Sequence, residues 1–300
     1  MRVGIIGAGS IGLLFAAYFS RIVDVTVYTR TPEQATEIIK YGIVLKKNGE
    51  QTISNTKALP INEWKGIEDL TIISVKQYQL RPIIEKINQL PILPNNLLFL
   101  QNGMGHLKQL ETIPNTNIFV GAVEHGALKE NSYTVSHNGE AVTKVAVFKG
   151  NPTFLFDCIS FAPLEFPLVF KEDYFTMLQS KLVVNAVINP LTAILEVENG
   201  KLIKNEYYFQ VLKNLYSEVS SILNLDNTEE QLQQIITICN NTSANRSSML
   251  KDIEAHRMTE VDAILGYILE VAEHKGMKSP QVANLYYLIK GKEMIKEEYA

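Results

Sequence analysis

The sequence has little cysteine, with only Cys158 and Cys239 among 300 residues. Two cysteines are too few for a disulfide framework, and neither has neighbours at metal-ligand spacing, so the sequence predicts no disulfide scaffold and no zinc or redox motif. The five histidines also lack the spacing of a metal site, and we expect no metal. This cysteine usage is typical of a reducing compartment, so we expect a cytoplasmic protein.

Charge of one sign and long apolar runs are also scarce. Lysine and arginine total 28 against 32 aspartates and glutamates, a net charge of −4. No block of like charges stands out, which argues against nucleic acid as a partner. No uninterrupted apolar stretch of about 18 residues exists, so we expect no membrane partner. The apolar run from Val3 to Phe19 is interrupted by Gly7, Gly9 and Gly12, and it is a poor signal peptide.

Chain length and pattern order predict two domains. In the first half, short β-rich runs alternate with segments whose apolar residues have helical spacing. This pattern is typical of a parallel sheet covered by crossover helices. The predicted strands are Val3–Ala8, Asp24–Arg30, Leu70–Lys76, Asn96–Asn102 and Ile118–Val123, and the predicted helices are Ile11–Ser20, Pro32–Tyr41 and Leu80–Leu90. Irregular β character follows from Tyr133 to about Val169.

After Asp173 the pattern becomes helical. Helices are predicted at Phe175–Leu195, Glu206–Leu223, Thr228–Cys239, Glu260–His274 and Pro280–Lys296. We therefore expect an α/β fold, with a parallel-sheet domain at residues 1–172 followed by an all-helical domain at residues 173–300. Apolar helical faces in the last hundred residues could close either the core of one chain or the interface of a homodimer.

A glycine-rich turn follows the first predicted strand. It consists of Gly7, Ala8, Gly9, Ser10, Ile11 and Gly12. In a dinucleotide-binding turn, the first glycine allows the tight turn, the second lets the backbone approach a pyrophosphate, and the third lets helix and strand pack closely. The N–H groups at the helix start then favour an anion. The motif predicts a cofactor phosphate site, and the alternative is a glycine-rich turn without a ligand.

The end of the second predicted strand indicates which dinucleotide binds. NAD-binding folds usually place Asp or Glu about 20 residues after the glycines, where it binds the ribose 2′-hydroxyl. This sequence has Arg30 there, between Thr29 and Thr31. A guanidinium pairs with a phosphate, whereas a carboxylate would repel it. Arg30 therefore predicts NADPH/NADP⁺ rather than NADH, and the alternative is a solvated surface arginine.

A polar stripe marks the first long helix of the second half. Lys181, Asn185 and Asn189 are spaced four residues apart, and nearly every position between them is apolar. At about 100° per residue the three side chains share one helix face. Because buried amide and ammonium groups are costly without partners, the stripe needs either a ligand or other protein groups. Pro190 is expected to kink or end this helix.

A second polar cluster lies at residues 247–252 and 256–262, and taken alone it could be a solvated loop and helix start. In combination with the other motifs, the chain resembles the ketopantoate reductase (2-dehydropantoate 2-reductase) family over nearly its whole length. The matching positions are 7–12, 30, 74–76, 101–103, 125–127, 181–193, 199–200, 247–249, 252 and 259–262. Many dehydrogenases share the glycine turn, whereas the 181–193 run and the last two segments are more specific. One departure is Glu124, where the family more often has threonine.

The resemblance implies NADPH-dependent reduction of 2-dehydropantoate to (R)-pantoate, a step toward pantothenate and coenzyme A, by a Rossmann-type domain and a helical domain. It implies that Lys181 is the general acid. The implied substrate-binding residues are Asn102, Lys181, Asn185, Asn189, Asn199 and Ser248. The implied contacts of the nicotinamide-ribose end of the cofactor are Lys76, Asn102, Ala127 and Glu260.

The chemistry of ketone reduction suits these residue types. Hydride delivery to a ketone carbon builds negative charge on the oxygen, and a positioned acid relieves it. A lysine ammonium is protonated at neutral pH, stabilises the oxyanion and becomes a stronger acid when partly buried. Because the reacting groups would come from both domains, the cleft between them is the predicted site.

Two alternative functions stay open. One is a reductase or dehydrogenase of another small 2-keto or hydroxy acid, such as the 3-hydroxyisobutyrate or 6-phosphogluconate dehydrogenase type, which shares the glycine turn and a catalytic lysine on a helix. The other is a catalytically silent NADP(H) sensor. A sensor would need no acid such as Lys181 in its second domain.

Overall fold

The computed structural model describes residues 1–114 and 116–294. Contacts within the chain divide it into two compact units. The sheet unit comprises Met1–Gln101 and His106–Leu178, and the helical unit comprises Asn102–Gly105 and the chain from Gln179 onward. The predicted domain limits, 1–172 and 173–300, stay a prediction; the two units change over after Leu178, and Asn102–Gly105 groups with the helical unit.

The sheet unit is built on two sheets. Its strands are β1 (Arg2–Ile6), β2 (Asp24–Thr29), β3 (Ile43–Lys47), β4 (Glu50–Ser54), β5 (Lys57–Pro60), β6 (Leu70–Ile73), β7 (Asn96–Phe99), β8 (Asn117–Val123), β9 (Gly126–Lys129), β10 (Thr134–Gly139), β11 (Thr143–Lys149) and β12 (Leu168–Phe170). Eight strands form the larger sheet in the order β12-β11-β8-β7-β6-β1-β2-β5, and four form the smaller sheet in the order β4-β3-β10-β9. In the larger sheet β8 and β11 are antiparallel, and the other neighbours are parallel.

The first helix of the chain, α1 (Ser10–Phe19), lies between the two sheets. It packs against β1 and β2 of the larger sheet and against β3, β9 and β10 of the smaller one. Its residues are buried from Gly12 to Phe19. An apolar composition on all sides is expected for a helix that is covered on both faces. The other helices of this unit are α2 (Pro32–Tyr41), α3 (Leu80–Gln89), α4 (Leu107–Leu110) and α5 (Thr153–Phe161).

The five predicted strands all form, although most end earlier than predicted. β6 ends at Ile73 and β7 at Phe99, so the residues that follow them lie outside these strands. The sequence did not predict β3, β4, β5 or β9. These strands are only four or five residues long, and β4 is mostly polar and exposed except at its last position, so none carries the longer apolar alternation that predicts a strand.

The strand order of the larger sheet indicates at which edge a ligand would bind. β1 pairs with β2 on one side and with β6 on the other, so the strand order reverses at β1. In such a sheet, ligands bind outside the carboxyl ends of the strands at the point of reversal. Ile6 pairs with Tyr28 and with Ile73, so these three strands end level with one another. The glycine turn, Arg30 and the segment that begins at Ser74 therefore emerge at one edge.

The helical unit continues the chain after Leu178. The long helix α6 runs over Tyr174–Leu195, and it is followed by α7 (Lys201–Lys204), α8 (Glu206–Leu223), α9 (Thr228–Asn241), α10 (Ser248–Glu254), a π-helical turn (Asp262–Gly266), α11 (Tyr267–His274) and α12 (Pro280–Met294). Residues 295 and 296 of the last predicted helix lie outside the described residues.

Helix α6 does not end at Pro190, which lies inside it. Of the two outcomes expected there, an end to the helix is therefore wrong. Thr192 donates its hydroxyl to the carbonyls of Ile188 and Asn189 at 2.9 and 3.0 Å, which supplies side-chain hydrogen bonds at this point. Among the described residues, α6 is also the one helix that is long and apolar enough to cross a membrane. Core helices of soluble proteins have the same composition, and 61 % of its apolar window is buried inside the protein.

Candidate active site

The glycine turn has the geometry of a phosphate cradle. Gly7 has a φ of +105°, which favours glycine, and a Cβ on Gly12 would overlap the Gly7 carbonyl oxygen. Over Gly9 there is open space, because no heavy atom of the described residues lies within 4 Å of a Cβ built there. Helix α1 begins at Ser10, and no side chain of the described residues caps it. Its first N–H groups thus face an open approach that fits a cofactor pyrophosphate.

Two polar side chains that the sequence reasoning did not select as site residues hold this turn. Ser74 donates its hydroxyl to the carbonyls of Ile6 and Gly7 at 3.2 and 2.9 Å. The Gln101 amide donates to the carbonyls of Ile73 and Val75 at 3.0 and 2.9 Å. Both lie in segments that carried the family resemblance. Lys76 lies two residues after Ser74, and Asn102 directly follows Gln101. Both are predicted ligand contacts, so these bonds anchor the backbone beside the candidate site.

Arg30 and Lys129 lie near the glycine turn. Arg30 directly follows β2, and it is exposed. The Lys129 ammonium donates to the Ala8 carbonyl at 3.0 Å, and the Lys129 N–H donates to the Ser10 hydroxyl at 3.0 Å. Burial lowers the pKa of Lys129, and the positive charge of Arg30 lowers it further. The sequence reasoning missed Lys129, which lies two residues after Ala127.

Strand β9 and the residues before it form another part of this region. Ala127 is half-buried and pairs with His137 of β10. Glu124, the departure from the family pattern, accepts a hydrogen bond from Lys144 at 2.6 Å, so its carboxylate is ion-paired. The His125 ring lies 3.1 Å from a ring nitrogen of His137. Burial, followed by the charge of His137, lowers the pKa of His125 to about 4, so His125 is neutral at pH 7.

In the helical unit, α6 carries the polar stripe. Lys181 and Asn185 are half-buried, and Asn189 is 8 % exposed. The Thr192 and Ser247 hydroxyls are hydrogen-bonded to each other at 2.7 Å, which ties α6 to the start of α10. Ser247 is buried and caps α10, whereas Ser248 is exposed at its first position. Of this serine pair, Ser248 is the one available to a ligand.

Asn199 offers an unused hydrogen-bond acceptor. It is 7 % exposed, and its Nδ2 donates to the Thr242 hydroxyl at 2.9 Å. Its Oδ1 is buried and has no hydrogen-bond partner within residues 1–114 and 116–294. A buried acceptor without a partner is costly, and a ligand hydroxyl or N–H would satisfy it. This oxygen therefore fits the predicted role of Asn199 in binding a substrate.

The structure brings Asn102 and Glu260 together although 158 positions separate them. The Asn102 amide donates to Glu260 Oε2 at 2.9 Å. Gly103 has a φ of +75°, and a Cβ on it would overlap the Ala263 carbonyl oxygen in the π-helical turn. Glycine therefore permits the close approach that puts Asn102 beside Glu260.

The predicted site residues fall into two groups. The glycine turn, Arg30, Lys76 and Ala127 belong to the sheet unit, and the structure places them around the carboxyl ends of β1, β2 and β6 and on β9. The helical unit holds Asn102, Lys181, Asn185, Asn189, Asn199, Ser248 and Glu260. Within the described part of the chain, no group of three or more His, Cys, Asp or Glu residues could hold a metal ion.

Two family models match the chain. The ketopantoate reductase PanE/ApbA model matches residues 3–150, and the ketopantoate reductase PanE/ApbA C-terminal model matches residues 173–293. Over 296 residues the chain is 40 % identical to the 2-dehydropantoate 2-reductase of Bacillus subtilis (strain 168), with 98 % of each chain covered.

Solved structures show the same relationship. A crystal structure described as a probable 2-dehydropantoate 2-reductase from Bacillus subtilis has a TM-score of 0.88 and 39 % identity, and it covers 97 % of this chain and 100 % of that one. A ternary structure of D-mandelate dehydrogenase with NADH and anilino(oxo)acetate also has a TM-score of 0.88, at 23 % identity and 98 % coverage of each chain. That second likeness is one of fold.

Proposed function

Because the chain belongs to the ketopantoate reductase family, we propose that it reduces 2-dehydropantoate to (R)-pantoate with NADPH. The family is one of NADPH-dependent oxidoreductases, and the chain is an oxidoreductase of this type. The observation that carries the substrate proposal is the 40 % identity to a 2-dehydropantoate 2-reductase over 98 % of both chains. The reaction would serve the formation of pantothenate and coenzyme A.

The sheet unit would hold most of the cofactor. The open N-terminus of α1 would bind the pyrophosphate, and Arg30 would bind the 2′-phosphate. Lys76 and Ala127 would contact the nicotinamide-ribose end, together with Asn102 and Glu260 of the helical unit. The hydrogen bond between Asn102 and Glu260 supports a shared role for these two side chains.

Lys181 would supply the proton. NADPH, when bound, would supply the hydride for the keto carbon of the substrate. The Lys181 ammonium would stabilise the negative charge on the carbonyl oxygen and give that oxygen its proton, which completes the hydroxyl group. The flanking Leu182 and Val183 are buried, and Lys181 itself is half-buried.

Amide and hydroxyl side chains would bind the rest of the substrate. Asn185 and Asn189 share the Lys181 face of α6, and Asn199 offers its Oδ1, which has no hydrogen-bond partner in the described part of the chain. Such groups bond a carboxylate and a distal hydroxyl without burying another net charge. Ser248 and Asn102 would complete the set.

A panel assay tests the substrate. D-Mandelate dehydrogenase has the same fold, so the fold alone does not select ketopantoate over another 2-keto acid. Oxidation of NADPH, followed by absorbance of the reduced nicotinamide, should be fastest by kcat/KM with 2-dehydropantoate among a set of 2-keto acids. Faster reduction of a different acid would support the alternative reductase. Binding of NADPH without turnover of any acid would support the sensor.

Two substitutions test the residue roles. Lys181→Ala should lower kcat by at least 100-fold with little change in NADPH affinity, because general-acid catalysis contributes about 10²–10⁴-fold. Arg30→Ala should weaken NADPH binding and leave NADH binding nearly unchanged. The matched controls are Lys201→Ala on α7 and Arg81→Ala on α3, both exposed. Near wild-type turnover in Lys181→Ala, or equal weakening of both cofactors in Arg30→Ala, would remove the corresponding role.

A homodimer and a cytoplasmic location stay predictions for this chain. The molar mass in solution, measured by light scattering at several concentrations, would decide the oligomeric state.

A further inference from the structure

The Lys129 ammonium lies on the Arg30 side of the glycine turn. The Ala8 carbonyl accepts from Lys129 Nζ and from Gln34 Nε2, each at 3.0 Å. Gln34 lies in the first turn of α2, four residues after Arg30. The lysine and the start of α2 therefore meet at one carbonyl oxygen. Among the contacts of residues 1–114 and 116–294, Ala8 takes one of the three N–H donors of the ammonium, which leaves two for a ligand.

The backbone fixes this position. The Lys129 N–H donates to the Ser10 hydroxyl at 3.0 Å, so the end of β9 is bonded to the start of α1. With its main chain and its ammonium both anchored to the turn, Lys129 is held in place before any ligand arrives. Preorganisation of this kind reduces the ordering cost of binding.

The charges around Lys129 favour an anion. The positive charge of Arg30 lowers the pKa of the half-buried Lys129 ammonium by more than the carboxylate of Glu37 raises it. Two neighbouring cations in a partly desolvated place repel each other, and an anion between them relieves that repulsion. A phosphate monoester carries nearly two negative charges at neutral pH, which matches the two cations.

We propose that Lys129 is a second specificity-determining residue that, with Arg30, binds the 2′-phosphate of NADPH. This inference rests on the proposed NADPH-dependent function and deepens it. The N–H groups of α1 are available to the pyrophosphate, whereas the Lys129 ammonium shares the Ala8 carbonyl with Gln34 at the start of α2, close along the chain to Arg30. Lys129 therefore favours NADPH over NADH.

Binding of cofactor fragments tests the proposal without turnover. Adenosine 2′,5′-bisphosphate and adenosine 5′-monophosphate differ only by the 2′-phosphate, and calorimetry gives the Kd of each. Lys129→Met keeps the length of the side chain but removes its charge. It should raise the Kd for the bisphosphate about tenfold, as expected for one charge-assisted contact, and change the Kd for the monophosphate less than twofold. Lys129→Arg should keep most of the preference.

Two further measurements guard against a misfolded variant. Lys46→Met removes a lysine from β3 of the same small sheet, where Lys46 pairs with Glu130, and should leave both Kd values unchanged. In the wild-type protein, the bisphosphate should protect Lys129 from acetylation by an amine-reactive ester, read by mass spectrometry, and the monophosphate should not.

The outcomes separate the two proposals. The role of Lys129 would be overturned if Lys129→Met raised both Kd values equally or raised neither, or if the bisphosphate did not selectively protect Lys129 from acetylation. In each of these cases, a wild-type protein that prefers the bisphosphate would still support NADPH as the cofactor. A wild-type protein that binds both fragments equally would overturn the NADPH proposal, and the role of Lys129 with it.

Discussion

Acid should destabilise the protein through His106, and the size of the effect follows from its burial. His106 is 1 % exposed, and within the described part of the chain neither ring nitrogen has a hydrogen-bond partner. Burial lowers its pKa from 6.5 to about 4. The folded state therefore holds His106 neutral at pH values where the unfolded state has already bound a proton. Where the unfolded state binds more protons than the folded state, a lower pH reduces the free energy of unfolding. The protein therefore loses stability as pH falls from about 6.5 to about 4.

Linkage gives the magnitude. A histidine with these two pKa values costs about 2 kcal/mol of unfolding free energy between pH 7 and pH 5, and about 3 kcal/mol by pH 4. These are large fractions of the stability of an ordinary domain. His106→Leu removes the titrating group and keeps a buried side chain of similar volume. The difference in unfolding free energy between variant and wild type should therefore shift in favour of the variant by about 2 kcal/mol from pH 7 to pH 5.

Urea unfolding at pH 7, 6 and 5, followed by circular dichroism, measures this difference. His274→Gln is the matched control, because His274 has a side chain that is 73 % exposed. The unfolding free energy of this control should change with pH by the same amount as that of the wild type. If the unfolding free energy of His106→Leu also changes with pH by the same amount as that of the wild type, then His106 is not held neutral by burial and the reasoning is refuted.

Three other substitutions probe the backbone around the site. Gly12→Ala would push a methyl group into the Gly7 carbonyl, so NADPH should bind at least tenfold more weakly by fluorescence titration, and an unchanged Kd would contradict the packing. Gly103→Ala meets the Ala263 carbonyl at a φ of +75°, and a loss of about 1–3 kcal/mol in chemical denaturation is expected; a neutral effect would contradict the close approach. Ser247→Ala removes a helix cap and should cost about 1 kcal/mol by the same method, and no loss would show that the cap is dispensable.

Much of the architecture was predictable from local patterns. The α/β fold with a parallel sheet followed by helices is confirmed, as are the family and the oxidoreductase class. The glycine turn and the polar stripe of α6 are short-range signals, because each depends on residues within a few turns of one another. Of the smaller sheet, β10 lies in the predicted stretch of irregular β character, whereas β3, β4 and β9 were missed, since such short strands carry little apolar alternation.

The sequence by itself determined which residue types form the candidate site: three glycines in the turn after β1, an arginine after β2, and a lysine and two asparagines at helical spacing. Tertiary structure alone decided which distant residues meet. Asn102 lies beside Glu260 because β7 ends at Phe99 and Gly103 allows a close approach to the π-helical turn. Lys129 lies beside Ala8 because β9 is bonded to the start of α1. Such contacts depend on the packing of separate elements, and spacing along the chain carries no signal for them.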